Sequence, residues 1–193
     1  RSLDKESRLA DNILPYRGVM PKIADDAFIA PTAVIIGDVE IGSGSGVWYG
    51  CIVRGDMNEI RIGESTNIQD GTIVHVDSHT FGTYISDGIT IGHMALIHAC
   101  TLEDGCMVGM QATMMDGAVV ETGALVAAGS LVPPGKRVPA GQLWAGSPAR
   151  FVRNVSDADQ EMMDYIWPSY RDLAAEYIAA GMMDARVNKK DGE

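Results

Sequence analysis

Aliphatic residues recur at every sixth position over most of this chain, and few folds admit that interval. Ile29, Ile35, Ile41, Val47 and Val53 open the series. It resumes at Ile62, Ile68 and Val74, again at Ile85, Ile91 and Ile97, and after a step of five at Leu102, Val108, Met114, Val120, Val126 and Val132. A period of six matches neither the 3.6 of an amphipathic helix nor the 2 of a half-buried strand. It matches a solenoid in which each hexad is a short strand plus a turn. Three hexads then close one triangular coil of about 18 residues, with the recurring aliphatic side chains inward.

The series is interrupted at Arg54–Gly55–Asp56–Met57 and again before Ile85. Interruptions of a solenoid are expected to be loops, and loops carry function. Residues 1–24, punctuated by Pro15, Gly18 and Pro21, read as an N-terminal arm packing on a β-helix of residues 25–150. Leu143–Trp144–Ala145–Gly146–Ser147–Pro148 reads as a cap on the last coil. Residues 151–186 change period to that of a helix, with Ser156 and Asp159 as an N-terminal capping pair and Pro168 expected to kink or split it. Residues 187–193 read as a disordered tail.

A formal net charge of −11 disfavours nucleic acid and a basic membrane patch, because a phosphate backbone is bound by clustered Lys and Arg. A small neutral or singly charged substrate is compatible. No apolar run reaches the ~18 residues of a membrane span. Cys51, Cys100 and Cys106 show no CxxC spacing and read as buried small side chains in a reducing compartment. The cytoplasm is the expected location, or the mitochondrial matrix if a leader precedes Arg1.

All four histidines, His75, His79, His93 and His98, fall between Thr72 and Cys100. His75 follows the inward Val74 and His98 follows the inward Ile97, so both occupy the same outward slot. They are 23 residues apart, one coil plus five, and are expected to stack in neighbouring coils. His93 lies two residues after Ile91, out of phase with them, and is expected on another face, with the five extra residues looping out within Asp77–Tyr84. A symmetric oligomer can bring such a pair and such a single residue together across an interface, and a threefold ring suits a triangular prism. Three imidazoles with one open position are the ligand set of a catalytic zinc. Fe2+ and Co2+ are also compatible with imidazole ligands.

Several further segments accompany these histidines: Val53–Arg54–Gly55–Asp56, Thr66–Asn67–Ile68–Gln69–Asp70, Val74–His75, Ile91–Gly92–His93, Ile97–His98, Val108–Gly109–Met110 and Trp144–Ala145–Gly146–Ser147–Pro148–Ala149. With them the chain resembles the γ-class carbonic anhydrases of the left-handed parallel β-helix superfamily over residues 20–180, and in its short loops their bacterial and mitochondrial branch. The resemblance implies a mainly β chain, a left-handed prism of hexapeptide coils followed by a C-terminal α-helix. It implies a homotrimer hydrating CO2 reversibly to bicarbonate by metal-bound hydroxide, with His75 and His98 from one subunit and His93 from its neighbour as zinc ligands.

Under the same resemblance Gln69 orients the reacting oxygen, Asn67 lines the pocket, and Arg54 pairs with Asp70 across the interface near Asp56. Tyr170 lies near bicarbonate. The archaeal founder of the family has a long acidic loop before its second histidine and a glutamate after the position of Asp56, both tied to proton export. Here the loop is short and Met57 stands in the second place; His79 in the short loop could substitute as proton carrier, or is solvated polar filler. Two other functions fit the fold: a metal-stabilised trimer serving as an assembly subunit of a larger complex, and CoA-dependent acyl transfer or thioester hydrolysis. The histidine triad with Gln69 disfavours the last.

Overall fold

The computed structural model describes residues 12–183. They form a left-handed parallel β-helix of about seven turns and one helix, Asp157–Ala179. Most strands are two or three residues long, as expected when a hexad must supply both a strand and a corner. Stacked strands are parallel and in register. Ile68 pairs with Ile91, Ile91 with Val108 and Val108 with Val126 on one face. Val53 pairs with Val74, Val74 with Ile97 and Ile97 with Met114 on another. The predicted inward residues make the core, and Ile29, Val47, Val53, Ile68, Val74, Ile91, Ile97, Val108, Met114 and Val126 are all fully buried.

The prism has three unlike faces. The first carries Ile73–His75, Leu96–His98, Thr113–Met114 and Leu131–Val132. Its outward side is apolar, with Val34, Ile52, Ile73 and Leu96 paired one above another. The second carries Asn67–Ile68, Thr90–Ile91, Met107–Val108 and Leu125–Val126. The third carries Thr83–Ile85, Thr101–Leu102, Val119–Val120 and Arg137–Val138, and its outward row Lys22, Glu40, Arg61 and Tyr84 is polar. There Arg61 reaches Asp38 at 2.9 Å and Glu59 at 2.7 Å.

The interruption at residues 54–57 is not a loop. Strand Ile52–Ile62 runs unbroken round the corner beside Val34–Ile41, with a register shift between Gly37 and Val39. The two backbones touch there: a Cβ on Gly37 would lie 2.3 Å from the Gly55 carbonyl oxygen, and Gly37 has φ +78°. The extra residues are absorbed as a bulge that bends the strand. The second interruption is a loop as expected, between Ile73–His75 and Thr83–Ile85, turned by Asp77, whose carboxylate accepts from the backbone N–H of His79 and Thr80.

The arm contributes strands of its own. Ile13–Leu14 and Lys22–Ile23 both pair with Val34–Ile41, so the sheet begins before residue 25. At the other end Gln142–Gly146 and Ala149–Asn154 form an antiparallel hairpin over the last coil. The helix then starts at Ser156 with both capping-box hydrogen bonds formed. It runs through Pro168 without dividing, held on either side of the proline by buried Met163 and Ala174. Tyr170 and Tyr177 pack edge-on against Trp48, which with Phe28 and Tyr49 docks the helix on the second face. Docking on both sides offsets the ~3 kcal/mol that an interior proline costs a helix. The sequence-predicted tail lies outside the described residues. Among the described residues no helix is long and apolar enough to cross a membrane.

Candidate metal centre

His75 and His98 are register partners on adjacent strands of the first face, as their phase predicts. Their rings lie with centroids 5.2 Å apart, and His75 Nδ1 is 3.2 Å from His98 Nε2. The outer nitrogens each meet a carboxylate: His75 Nε2 lies 3.1 Å from Asp56 Oδ1, and His98 Nδ1 lies 2.5 Å from Asp116 Oδ1. Asp56 is joined in turn to Arg54 at 2.5 Å. Burial raises the Asp56 carboxyl's pKa, but hydrogen bonds from Arg54 and His75 outweigh it and hold the group below the ordinary aspartate value.

This arrangement suits a metal ion. A neutral imidazole that donates its outer N–H to a carboxylate has a bare lone pair on the inner nitrogen. Two such lone pairs facing each other at 3.2 Å repel unless a cation lies between them. Tetrahedral zinc with Zn–N bonds of ~2.0–2.1 Å puts ligand nitrogens about 3.3 Å apart. Carboxylate partners on the outer nitrogens are the usual companions of metal-binding histidines.

A buried hydroxyl joins the two coils that carry His75 and His98. Thr83 Oγ1 donates to the His75 carbonyl at 2.5 Å and accepts from Ala99 N–H at 3.0 Å. Replacing Thr83 by Val removes both bonds. Cobalt affinity is expected to fall about tenfold and stability by about 1 kcal/mol, with Ser restoring both, measured by absorption titration and thermal melting.

His93 stands at the corner leaving the second face, again as its phase predicts, and does not join the pair within one chain. Its Nδ1 lies 3.0 Å from Asp70 Oδ2, and the next residue, Met94, has the left-handed φ of +58°. Among the described residues of one chain no three His, Cys, Asp or Glu side chains converge on one point. Beside His93 runs an apolar groove of about 420 Å³, walled by Met107, Met110, Leu125, Leu143, Met162 and Ile166, with Gln69 and Tyr170 also on its wall. Gln69 is buried, and its Nε2 donates to Asn67 Oδ1 at 3.1 Å. Asn67 donates in turn to Thr90 Oγ1 at 2.9 Å. Burial raises the Tyr170 hydroxyl's pKa, and the Asp70 charge adds to it.

The expected residues therefore form two groups, Arg54, Asp56, His75 and His98 on the first face and Asn67, Gln69, Asp70, His93 and Tyr170 about the second. Within a chain Arg54 pairs with Asp56 and Asp70 with His93, so an Arg54–Asp70 pair is not formed there. His79 is exposed in its loop. The three cysteines are buried and free, with burial pushing the Cys51 and Cys100 thiols up to about 12 and Cys106 up as well. The sequence reading missed Asp116 and Thr83. Asp116 had a signal, being an acid one coil, 18 residues, beyond His98.

No family model matches the chain. Individual relatives do. It is 44% identical to γ carbonic anhydrase 2, mitochondrial, of Arabidopsis thaliana over 99% of its own length and 70% of the relative's. It is 41% identical to a carbonic anhydrase of Geobacillus kaustophilus, with coverage of 86% and 91%. Against three plant relatives the chain spans 60 to 70% of their length. A crystal structure of a hexapeptide transferase family protein from Anaplasma phagocytophilum superposes with a TM-score of 0.82 at 45% identity, covering 85% of this chain and 96% of that one. With identity of this order over most of its length and a parallel β-helix of matching form, the chain belongs to the γ-class carbonic anhydrase family.

Proposed function

We propose that this chain interconverts CO2 and bicarbonate at zinc sites shared between adjacent subunits of a homotrimer. The observation that carries this reading is the approach of His75 Nδ1 to His98 Nε2 at 3.2 Å, each ring having a carboxylate at its other nitrogen. His93, on a different face, would be the third ligand, supplied by a neighbouring subunit. The outward apolar row of the first face, with Ile52 and Ile73 exposed, supports closure of that face against another copy, since the third face is charged and solvated. Zinc held there supplies a Lewis acid that makes water a nucleophile near neutral pH.

The remaining groups have separate tasks. Gln69 spends one amide N–H on Asn67, which leaves its carbonyl oxygen and second N–H to orient an attacking oxygen or a bicarbonate without adding charge. The apolar groove suits CO2, which has no dipole, better than the charged product. Arg54 keeps Asp56 ionised, and Asp56 keeps the outer N–H of His75 in place. Tyr170 stays a neutral donor at the groove wall.

Zinc-verified protein should hydrate CO2 in a stopped-flow indicator assay and sediment as a trimer, and His98→Ala should lose at least about a hundredfold in rate, a modest part of the ~10⁶-fold or more by which enzymes exceed uncatalysed reactions. Equal rates for wild type and variant would leave the metal-stabilised assembly role as the surviving reading.

A further inference from the structure

Asp116 lies outside the family-matching segments, and its place in the coil stack is unusually well determined. It occupies the corner after Thr113–Met114, one coil beyond His98. The next residue, Gly117, donates its N–H to the carbonyl of Ala99 at 2.7 Å, tying this corner directly to the residue after the ligand. From the other side Gly135 N–H donates to the Asp116 carbonyl at 2.8 Å. The backbone of Asp116 is thus clamped between the coil that carries His98 and the coil beyond.

Its side chain is not spent on that clamp. Among the described residues the carboxylate has a single side-chain partner, His98 Nδ1, at 2.5 Å. The group is 37% exposed and the histidine 28% exposed, so burial does not force the contact. A solvated carboxylate at a corner would ordinarily point outward and cost nothing there.

We infer that Asp116 is the positioning residue of His98: its carboxylate keeps the proton on Nδ1 and turns Nε2 toward His75. The consequence follows from ring chemistry. A neutral imidazole has one N–H and one lone pair, and an acceptor at Nδ1 selects the form whose lone pair is on Nε2. Without Asp116 His98 is free to place its proton on Nε2, where it would face His75 Nδ1, close a hydrogen bond with it and block the ligand pair. The ring would also lose one of the two contacts that set its rotation. His75 is served in the same way by Asp56, but from the strand before it, so the two aspartates flank the pair from opposite ends of the stack.

This inference rests on the metal reading of the site, and its test reads metal binding rather than turnover. Metal-free wild type, Asp116→Ala and Asp116→Asn are titrated with Co2+, followed by visible absorption, and the metal-free proteins are melted thermally. Asp116→Ala should bind Co2+ 10- to 100-fold more weakly, the range seen when outer partners of ligands are removed. Its cobalt bands should shift and its metal-free melting temperature should match wild type. Asp116→Asn, whose side-chain oxygen still accepts from Nδ1, should recover most of the affinity. Wild-type affinity in Asp116→Ala overturns the inference, as does a loss of affinity that travels with an equal loss of metal-free stability in both variants. Failure of wild type itself to bind Co2+ overturns the metal reading, and this inference with it.

Discussion

His93→Ala and His98→Ala proteins, each inactive alone, should regain about a quarter of wild-type CO2 hydration when denatured together in equal amounts and refolded. The two substitutions fall on different half-sites. A trimer site drawing His75 and His98 from one subunit and His93 from the next is intact when the first subunit carries only the His93 change and the second only the His98 change. Random assembly makes that combination at one site in four. Sites built within single chains would give no recovery at any mixing ratio. The measurement is a stopped-flow rate on refolded, metal-loaded mixtures, with differential tags to verify that mixed trimers formed. Mixed trimers that remain inactive would refute the sharing of ligands between faces.

Gly92→Ala should be among the most damaging small substitutions near the site. Its added methyl would sit 2.5 Å from Met110 N and 2.9 Å from Met110 Cα and the Gly109 carbonyl carbon, all backbone atoms of the next coil. No rotamer relieves that clash. Coils joined by Gly92 N–H to Val108 carbonyl at 2.8 Å would have to separate. Overpacking of this kind costs about 3 kcal/mol or more, which for a chain of this size lowers the melting temperature by roughly 6–12 °C. Gly123→Ala is the comparison: open space surrounds it and only its φ of +64° opposes a side chain, for about 1–2 kcal/mol. Equal melting temperatures for the two variants would mean that the coils yield where the structure holds them tight. Because Gly92 immediately precedes His93, the same variant should also lower cobalt affinity.

Much of this was legible in the residues. The inward positions from Ile29 to Val132 could be named because a six-residue period allows one phase, and a one-residue error would have put every aliphatic side chain outside. Stacking of His75 on His98 and the separation of His93 followed from that phase. What the period could not say was how an interruption is absorbed. Residues 77–82 leave the sheet, while 54–57 stay in it, because Gly37 and Gly55 let two backbones touch at the corner. Periodicity reports extra residues without reporting whether they bulge or loop. Arg54 and Asp56 are two apart on one strand and therefore share a side, a local signal for their pairing that the resemblance overshadowed. Thr83 and Asp116 were harder to see, since polar residues fill many corners and only the stacking of coils selects the ones that reach a histidine.

The placement of His93 on a different face from His75 and His98 also makes concentration a variable of the chemistry. A protomer with all its ligands on one face would turn over at the same rate per molecule however far it was diluted. In the proposed trimer each protomer alone would hold two half-sites and no whole one, so specific activity should fall on dilution as rings open and rise again with zinc, which would bind only the closed form tightly. The metal, in that account, is as much an assembly effector as a cofactor.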